Sequence, residues 1–199
     1  MTFQQKWSNY WYYYKWHTLF GVFVLILLTI TLVECAQKKT PDLSIAYASQ
    51  NYVNTDKFQD DMSAFIGDVN GDGAEYVFCN NLLLATDVKT EQDLAVSQKL
   101  LLLFVDKETR LFIMDRELFE AYSESFENLD GIVPDDKLQD AYEYNGAKIA
   151  ICTLNCPKLE KYGLAKENLY MGIVALGEND KKFSENYNTS LKLIKELSN

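Results

Sequence analysis

Histidine is almost missing from this chain: His17 is the only one in 199 residues, and it lies in an N-terminal aromatic tract. From Thr40 onward there is none, so Ser-His-Asp, Cys-His and H-E-x-x-H arrangements cannot be assembled there. Cysteine is nearly as sparse. Cys35, Cys79, Cys152 and Cys156 contain no C-x-x-C pair, and without His partners they supply neither a zinc spacing nor a disulfide framework. Cys79 and Cys152 each fall in an apolar, strand-like run, where a thiol behaves as a small hydrophobe. Cys152 and Cys156 bridge only if Thr153-Leu154-Asn155 turns tightly, because an extended chain holds their Cα atoms about 13 Å apart. Phosphate-cradling G-x-x-x-x-G-K-[ST] and G-x-G-x-x-G are both lacking. Basic charge is scarce as well. From Thr40 onward 15 Lys/Arg stand against 28 Asp/Glu, a formal net charge of −13, with no basic stripe or polybasic segment. Nucleic acid and anionic lipid headgroups are therefore excluded as partners of this part. Acid pairs such as Asp60/Asp61, Asp135/Asp136 and Glu117/Glu120 read as solvated faces of an acidic surface.

What is present begins with an apolar run, Leu19 to Val33, preceded by the aromatic tract WSNYWYYYKW. Fifteen residues cover roughly 22 Å, short of the roughly 30 Å hydrocarbon core. Trp16, His17 and Thr18 lengthen the span, the Trp and Tyr rings suit the headgroup layer, and Lys15 can snorkel outward. The expected arrangement is a tail and single membrane-spanning helix in residues 1–36, the helix itself running from about Trp16 to Cys35. A short stalk follows over 37–41 and an α/β domain over 42–199. A cleaved signal peptide is a rival, but Glu34 spoils an A-x-A-like site. A lipoprotein is another, yet Leu32-Val33-Glu34-Cys35 lacks the small residue wanted before the Cys. Lys6 and Lys15 before the span balance Lys38 and Lys39 after it, so the charge rule sets no orientation. A short tail with the larger part exported is the commoner arrangement, which places the domain outside the cytoplasm.

About 160 residues suffice for one domain with a full hydrophobic core. Leu43–Ala48 reads as a first strand. A helix capped by Asn54 or Thr55 follows, with Phe58, Met62, Phe65 and Ile66 on one stripe. Tyr76–Cys79 is a second strand. Thr90 and Asp93 form a capping-box pattern opening a helix over 91–105, with Leu94, Leu101 and Phe104 on one face. Arg110–Met114 is a third strand, and Asp115 can cap a helix carrying Leu118, Phe119, Tyr122 and Phe126. Residues 127–146 read as loop with a short helix from Asp135. Ala147–Thr153 and Leu169–Leu176 are the fourth and fifth strands, with Pro157 opening a helical turn between them. A closing amphipathic helix puts Phe183, Tyr187, Leu191, Ile194 and Leu197 on one face. Helices alternating with near-continuously apolar strands predict a layered α/β fold with a mostly parallel sheet of about five strands.

The most specific motif is Asp68-Val69-Asn70-Gly71-Asp72-Gly73, which matches D-x-N-x-D-G, the front half of a calcium loop. Asp68, Asn70 and Asp72 at alternating positions can converge on one hard cation, with Gly73 permitting the turn and Ala74 offering a carbonyl. The back half departs: Cys79 stands where a bidentate Glu belongs, and Glu75 where an apolar residue belongs. The same residues are also turn formers in their own right. Calcium, if held, should bind weakly, at roughly 0.1–1 mM, and serve structure. Tyr142, Tyr144 and Tyr162 either line a recognition surface or pack at the sheet edge.

The opening Pro41-Asp42-Leu43-Ser44-Ile45-Ala46-Tyr47, the run Gln98–Leu102 followed by Leu111–Asp115, and Tyr170-Met171-Gly172-Ile173 before a terminal helix together resemble one lobe of bacterial extracellular solute-binding proteins. The anchored arrangement resembles uncharacterised membrane proteins of Gram-positive bacteria. The resemblance spans most of residues 41–197. It departs in length, since a solute-binding protein closes two lobes on its ligand and this chain has room for one. The expectation is a non-catalytic, membrane-tethered domain that binds a protein partner or a small solute and needs no cofactor. The alternatives are a calcium-stabilised module using the 68–73 loop and a hydrolase of unfamiliar mechanism.

Overall fold

The computed structural model describes residues 2–36, 39–85, 90–177, 180 and 183–199, without the side chains of Lys6, Asn9, Cys35 and Ala36. These fall into two units, Met1–Lys39 and Thr40–Asn199. Of the expected stalk, Gln37 and Lys38 lie outside the described residues.

The first unit is one helix, α1 (Phe3–Ala36). It starts well before the expected Trp16, because the aromatic tract is itself helical. Trp7 stacks on Trp11 at 6.4 Å and Tyr10 on Tyr14 at 5.4 Å, each pair four residues apart and so on one face. The hydroxyls of Thr29 and Thr31 donate to the carbonyls of Leu25 and Leu27, at 2.8 and 2.9 Å. Polar side chains in the apolar run are thus satisfied inside the helix, as a spanning segment requires. Residues Tyr10–Glu34, 25 in number, are long and apolar enough to cross a membrane, a property shared by anchors and signal sequences.

The second unit is an α/β layer structure: β1 (Leu43–Ser49), α2 (Asp56–Ile66), β2 (Val77–Leu83), α3 (Glu91–Asp106), β3 (Thr109–Asp115), α4 (Arg116–Tyr122), β4 (Tyr142–Tyr144), β5 (Ala147–Cys152), β6 (Leu169–Ile173) and α5 (Ser184–Ser198). The six strands lie in the order β2-β1-β3-β6-β5-β4. This corrects the expectation of about five, mostly parallel strands. Only β2, β1 and β3 run parallel; β6, β5 and β4 join in antiparallel pairs. The extra strand, β4, is added by a tight hairpin. Asn145 and Gly146 take φ of 51° and 81°, both positive as a type I′ turn requires, and they fold Tyr142–Tyr144 back onto β5. That strand lies within the stretch read as loop.

Both faces of the sheet are covered. β1 and β3 alternate sides, so Ile45, Tyr47, Leu111 and Ile113 enter one core with α2 and α5, while Ala46, Ala48, Phe112 and Met114 enter the other with α3 and α4. Strands buried on both sides need apolar residues at successive positions, which is why their sequences show little alternation. On α2, Phe58, Met62 and Ile66 are buried as the spacing predicted. On α3 the capping box of Thr90 and Asp93 is formed, but the buried residues are Leu100 and Leu103; of the expected face Phe104 is half-buried, whereas Leu94 and Leu101 face solvent. On α5 the inward stripe is Ser190, Leu193, Ile194 and Leu197, with Tyr187 and Leu191 at its margin. The Phe104 ring stacks on Phe112 at 4.2 Å and on Tyr122 at 4.5 Å. Gly172 of β6 admits no side chain, since a Cβ there would lie 2.8 Å from the Ile149 carbonyl and from the Phe119 ring. Arg110, 1% exposed, donates from Nη1 to the Ala175 carbonyl at 2.9 Å and sits 3.6 Å from Asp180.

Candidate functional site at the carboxyl ends of β1 and β3

The chain leaves β1 through α2 to β2 on one side, then returns through α3 to β3 on the other. Between β1 and β3 the winding reverses. At such a point the helices diverge to opposite faces and leave a crevice beyond the strand ends, the place where open α/β sheets hold ligands. Here β1 ends at Ser49 and β3 at Asp115.

These two ends are tied by hydrogen bonds. Ser49 Oγ donates to Asp115 Oδ1 at 2.9 Å, and the Gln50 N–H donates to Asp115 Oδ2 at 2.8 Å. The Asn51 N–H donates to Ser49 Oγ at 3.1 Å, and the Tyr47 hydroxyl donates to the Asn51 carbonyl at 2.8 Å. Tyr47 is fully buried, and burial pushes its phenol above the ordinary value, so it stays a neutral donor. The turn after β1 is therefore held from below by the core and from the side by β3. Asp115, expected as a helix cap, makes no side-chain cap to α4; its carboxylate serves this link instead.

A depression of about 210 Å³ opens over the link, lined by Gln50, Asn51, Asp115, Arg116, Glu117 and Asn168. A second of about 200 Å³ shares Gln50, Asp115 and Glu117 and extends to Leu84, Ser97 and Leu118. A third, about 370 Å³, shares Arg116 and reaches Asp140, Tyr142 and Tyr170. The three shared-edge depressions make a trough along one end of the sheet. Arg116 is its pivot: its N–H donates to the Asn168 carbonyl at 3.0 Å, and its guanidinium lies over the Tyr142 ring at 5.9 Å. The trough thus presents carboxylates, one guanidinium and three side-chain amides, a set suited to a small polar solute.

A larger open groove, about 870 Å³, lies elsewhere, between α2, the turn 157–162 and α5. Four of its five ionic groups, all but Glu160, are matched among themselves. Asp61 accepts from Lys161 Nζ at 2.8 Å and from the Tyr162 hydroxyl at 2.7 Å, and Lys158 pairs with Glu196 at 2.6 Å. Lys161 and Tyr162 hold the Asp61 carboxyl below its usual range. With most of its charges paired off inside it, the groove leaves few groups for a ligand, and the smaller crevice is the better site.

The 68–73 loop stands at the other end of the sheet, before β2. Asp68 accepts from the N–H groups of Gly71 and Gly73 at 2.7 and 2.9 Å, and Asn70 accepts from Asp72 N–H at 2.9 Å. Asp72 accepts from the Ala74 N–H at 2.9 Å and, through its other oxygen, from Thr40 N–H and Oγ1, both at 3.2 Å. Backbone donors led by Ala74 keep the Asp72 carboxyl below its ordinary value. Asp42, 3% exposed, holds the loop from behind by accepting from the N–H groups of Val69, Asn70 and Tyr76 at 2.7, 2.9 and 2.8 Å. The motif residues are thus brought together as caps of their own backbone. No group of three or more metal-binding side chains occurs among the described residues.

The described cysteines, Cys79, Cys152 and Cys156, are buried and free, so Cys152 and Cys156 form no bridge. Burial pushes the Cys79 thiol up to about 11 and that of Cys156 to about 12, which leaves both inert as nucleophiles. Of the tyrosines singled out, Tyr142 lies in the trough, Tyr144 donates to Glu124 at 3.1 Å, and Tyr162 belongs to the Asp61 network. Ser49, Gln50, Asn51, Arg116 and Asn168 belong to no local motif; their one sequence signal is that two strands of one α/β unit end in Ser49 and Asp115. No protein family matches the chain, and no curated protein or solved structure matches it either.

Proposed function

We propose that the chain is a membrane-anchored binding module whose α/β domain, outside the cytoplasm, takes a small polar solute in the crevice beyond β1 and β3. The observation that carries this reading is the link Tyr47–Asn51–Ser49–Asp115, which fixes the crevice walls before any ligand arrives. Preorganisation of this kind lowers the ordering cost of binding. The resemblance to one solute-binding lobe supports the same location, by analogy of fold. A non-catalytic role is favoured because both Asp115 oxygens already accept hydrogen bonds and the domain has no His. Thermal melting against amino acids, sugars and amines tests the proposal. At least one should raise Tm, and Asp115→Ala should remove the rise; a rise that survives this change locates binding elsewhere.

The 68–73 loop supports a second reading, a calcium-stabilised module. Its favouring observation is that Asp68, Asn70 and Asp72 all sit on one exposed turn with Gly71 and Gly73 at φ of 75° and 82°. Asp68→Ala combined with Asp72→Ala should abolish any calcium-dependent gain in Tm; an unchanged gain places the ion elsewhere.

A further inference from the structure

The charge of the crevice beyond β1 and β3 is one-sided. Four carboxylates, those of Asp115, Glu117, Asp140 and Glu143, line its three depressions against one guanidinium, that of Arg116. Asp115 receives its hydrogen bonds from a hydroxyl and a backbone N–H, both neutral donors, so its negative charge stays uncompensated. A cleft lined by an excess of one sign concentrates solutes of the other, here cations.

Acidity alone singles out no ligand, but two donors without partners stand among these carboxylates. The Arg116 guanidinium forms no ion pair or hydrogen bond among the described residues, although Asp140 and Glu143 share its depression; it rests over the Tyr142 ring. Tyr170 lines the same depression while only 8% exposed, its ring held between Phe119 and Tyr142 at 6.4 and 6.2 Å. Its hydroxyl has no hydrogen-bond partner among the described residues, and it is not sealed in. The buried side-chain nitrogens and oxygens without a partner there all belong to Arg110. The Tyr170 hydroxyl therefore opens into the depression, close enough to Arg116 to feel its charge. Burial pushes this phenol above its ordinary value and keeps it a neutral donor. A guanidinium and a hydroxyl, both unpaired and facing one space, match the oxygens of a carboxylate.

We infer that the crevice takes a free diamino acid such as lysine, ornithine or arginine, which rests on the reading of the crevice as a solute site. The ligand carboxylate accepts from Arg116 and Tyr170. Its α-ammonium faces Asp115 and Glu117 in the depression of about 210 Å³, and its longer, cationic side chain faces Asp140 and Glu143 in that of about 370 Å³. Other small solutes match less of this pattern. A sugar leaves every charge unpaired, a dicarboxylate meets like charge on both sides of Arg116, and a plain diamine brings a cation against the guanidinium.

The test is titration calorimetry of the full chain in detergent. Lysine is compared with norleucine, which lacks the side-chain ammonium, and with the diamine cadaverine, which lacks the carboxylate. Each comparison removes one charge-assisted pairing, so lysine should bind about tenfold tighter than either. Arg116→Gln should cancel the preference over cadaverine and keep that over norleucine; Asp140→Asn with Glu143→Gln should do the reverse. Lost folding cannot produce such a crossed pattern. Lysine binding no tighter than either comparator, or preferences untouched by these changes, overturns the inference. So does Nα-acetyl-lysine binding as tightly as lysine, the sign that the carboxyl end of a peptide is the occupant. A neutral solute that binds instead, and is lost in Asp115→Ala, overturns the diamino acid and leaves the crevice standing. No binding by any member of the wider panel of amino acids, sugars and amines overturns both.

Discussion

The two ends of the central sheet are built from the same kinds of residue and behave differently. At the end where the chain enters the domain, Asp42, Asp68, Asn70 and Asp72 turn their oxygens onto nearby N–H groups, and the loop closes on itself. At the carboxyl end, one carboxylate, Asp115, ties two strands together, while Arg116, Glu117 and Asn168 line open space around it. A compact motif of high local specificity is thus first a structural device, and the open chemistry lies where residues distant in sequence converge. The difference follows from geometry. A loop of six residues can satisfy its own donors through short side chains, whereas strand ends separated by some 65 residues meet only through the fold.

The largest expected effect is at the entry end. Asp42→Ala leaves three N–H groups without their charged acceptor and should cost about 3 kcal/mol of stability, read from the urea midpoint. A cost equal to that of an exposed substitution would mean the loop does not depend on Asp42. Gly172→Ala, midway along the sheet, serves as a ruler between the ends. Its Cβ must displace the Ile149 carbonyl or the Phe119 ring, an overpacking cost of about 2 kcal/mol, with solute binding retained. Asp115→Ala sharpens the contrast from the other side. It should lower stability by only about 1 kcal/mol yet abolish solute-dependent shifts in Tm.

The smallest effect is one of pH. The folded-state pKa of Asp72 is depressed, chiefly by the Ala74 N–H, so its contribution is complete above the ordinary carboxylate value. It is lost as pH falls through the lowered value. Asp72→Asn should therefore flatten the acid limb of the stability profile below about pH 4 and change little near neutrality. An acid limb unchanged by the substitution would show that the Asp72 bonds do not survive in solution.

How much of this was legible in the sequence depends on the range of the interaction. Local signals held: the apolar span, the Thr90–Asp93 capping box, the Phe58/Met62/Ile66 stripe and the turn at Pro157 are all set within a few residues. The Asn145-Gly146 hairpin was equally local and was missed because the three-residue β4 has no apolar alternation to announce it. The stripe assignment failed on α3 for a different reason, whereas on α5 Ile194 and Leu197 are buried and Tyr187 and Leu191 half-buried as expected, with Leu193 added to them. When a helix carries apolar residues on more than one face, periodicity gives no choice between Leu94/Leu101 and Leu100/Leu103, and the sheet decides. The antiparallel half of the sheet and the crevice depend on strand order, which no local pattern encodes. Asp115 illustrates this. It reads as a helix cap by position, and only its neighbour in space, Ser49, reveals its use.

The decisive difference between the two ends is whether a solute binds at the carboxyl end rather than at the entry loop. The direct measurement is thermal melting of the full chain in detergent against small polar solutes, for the unaltered protein, Asp115→Ala and the Asp68→Ala/Asp72→Ala pair. A solute that raises Tm in the unaltered protein and the loop variant, but not in Asp115→Ala, is the predicted result. A rise that persists in Asp115→Ala and vanishes in the loop variant would contradict the account, and so would the absence of any solute-dependent rise.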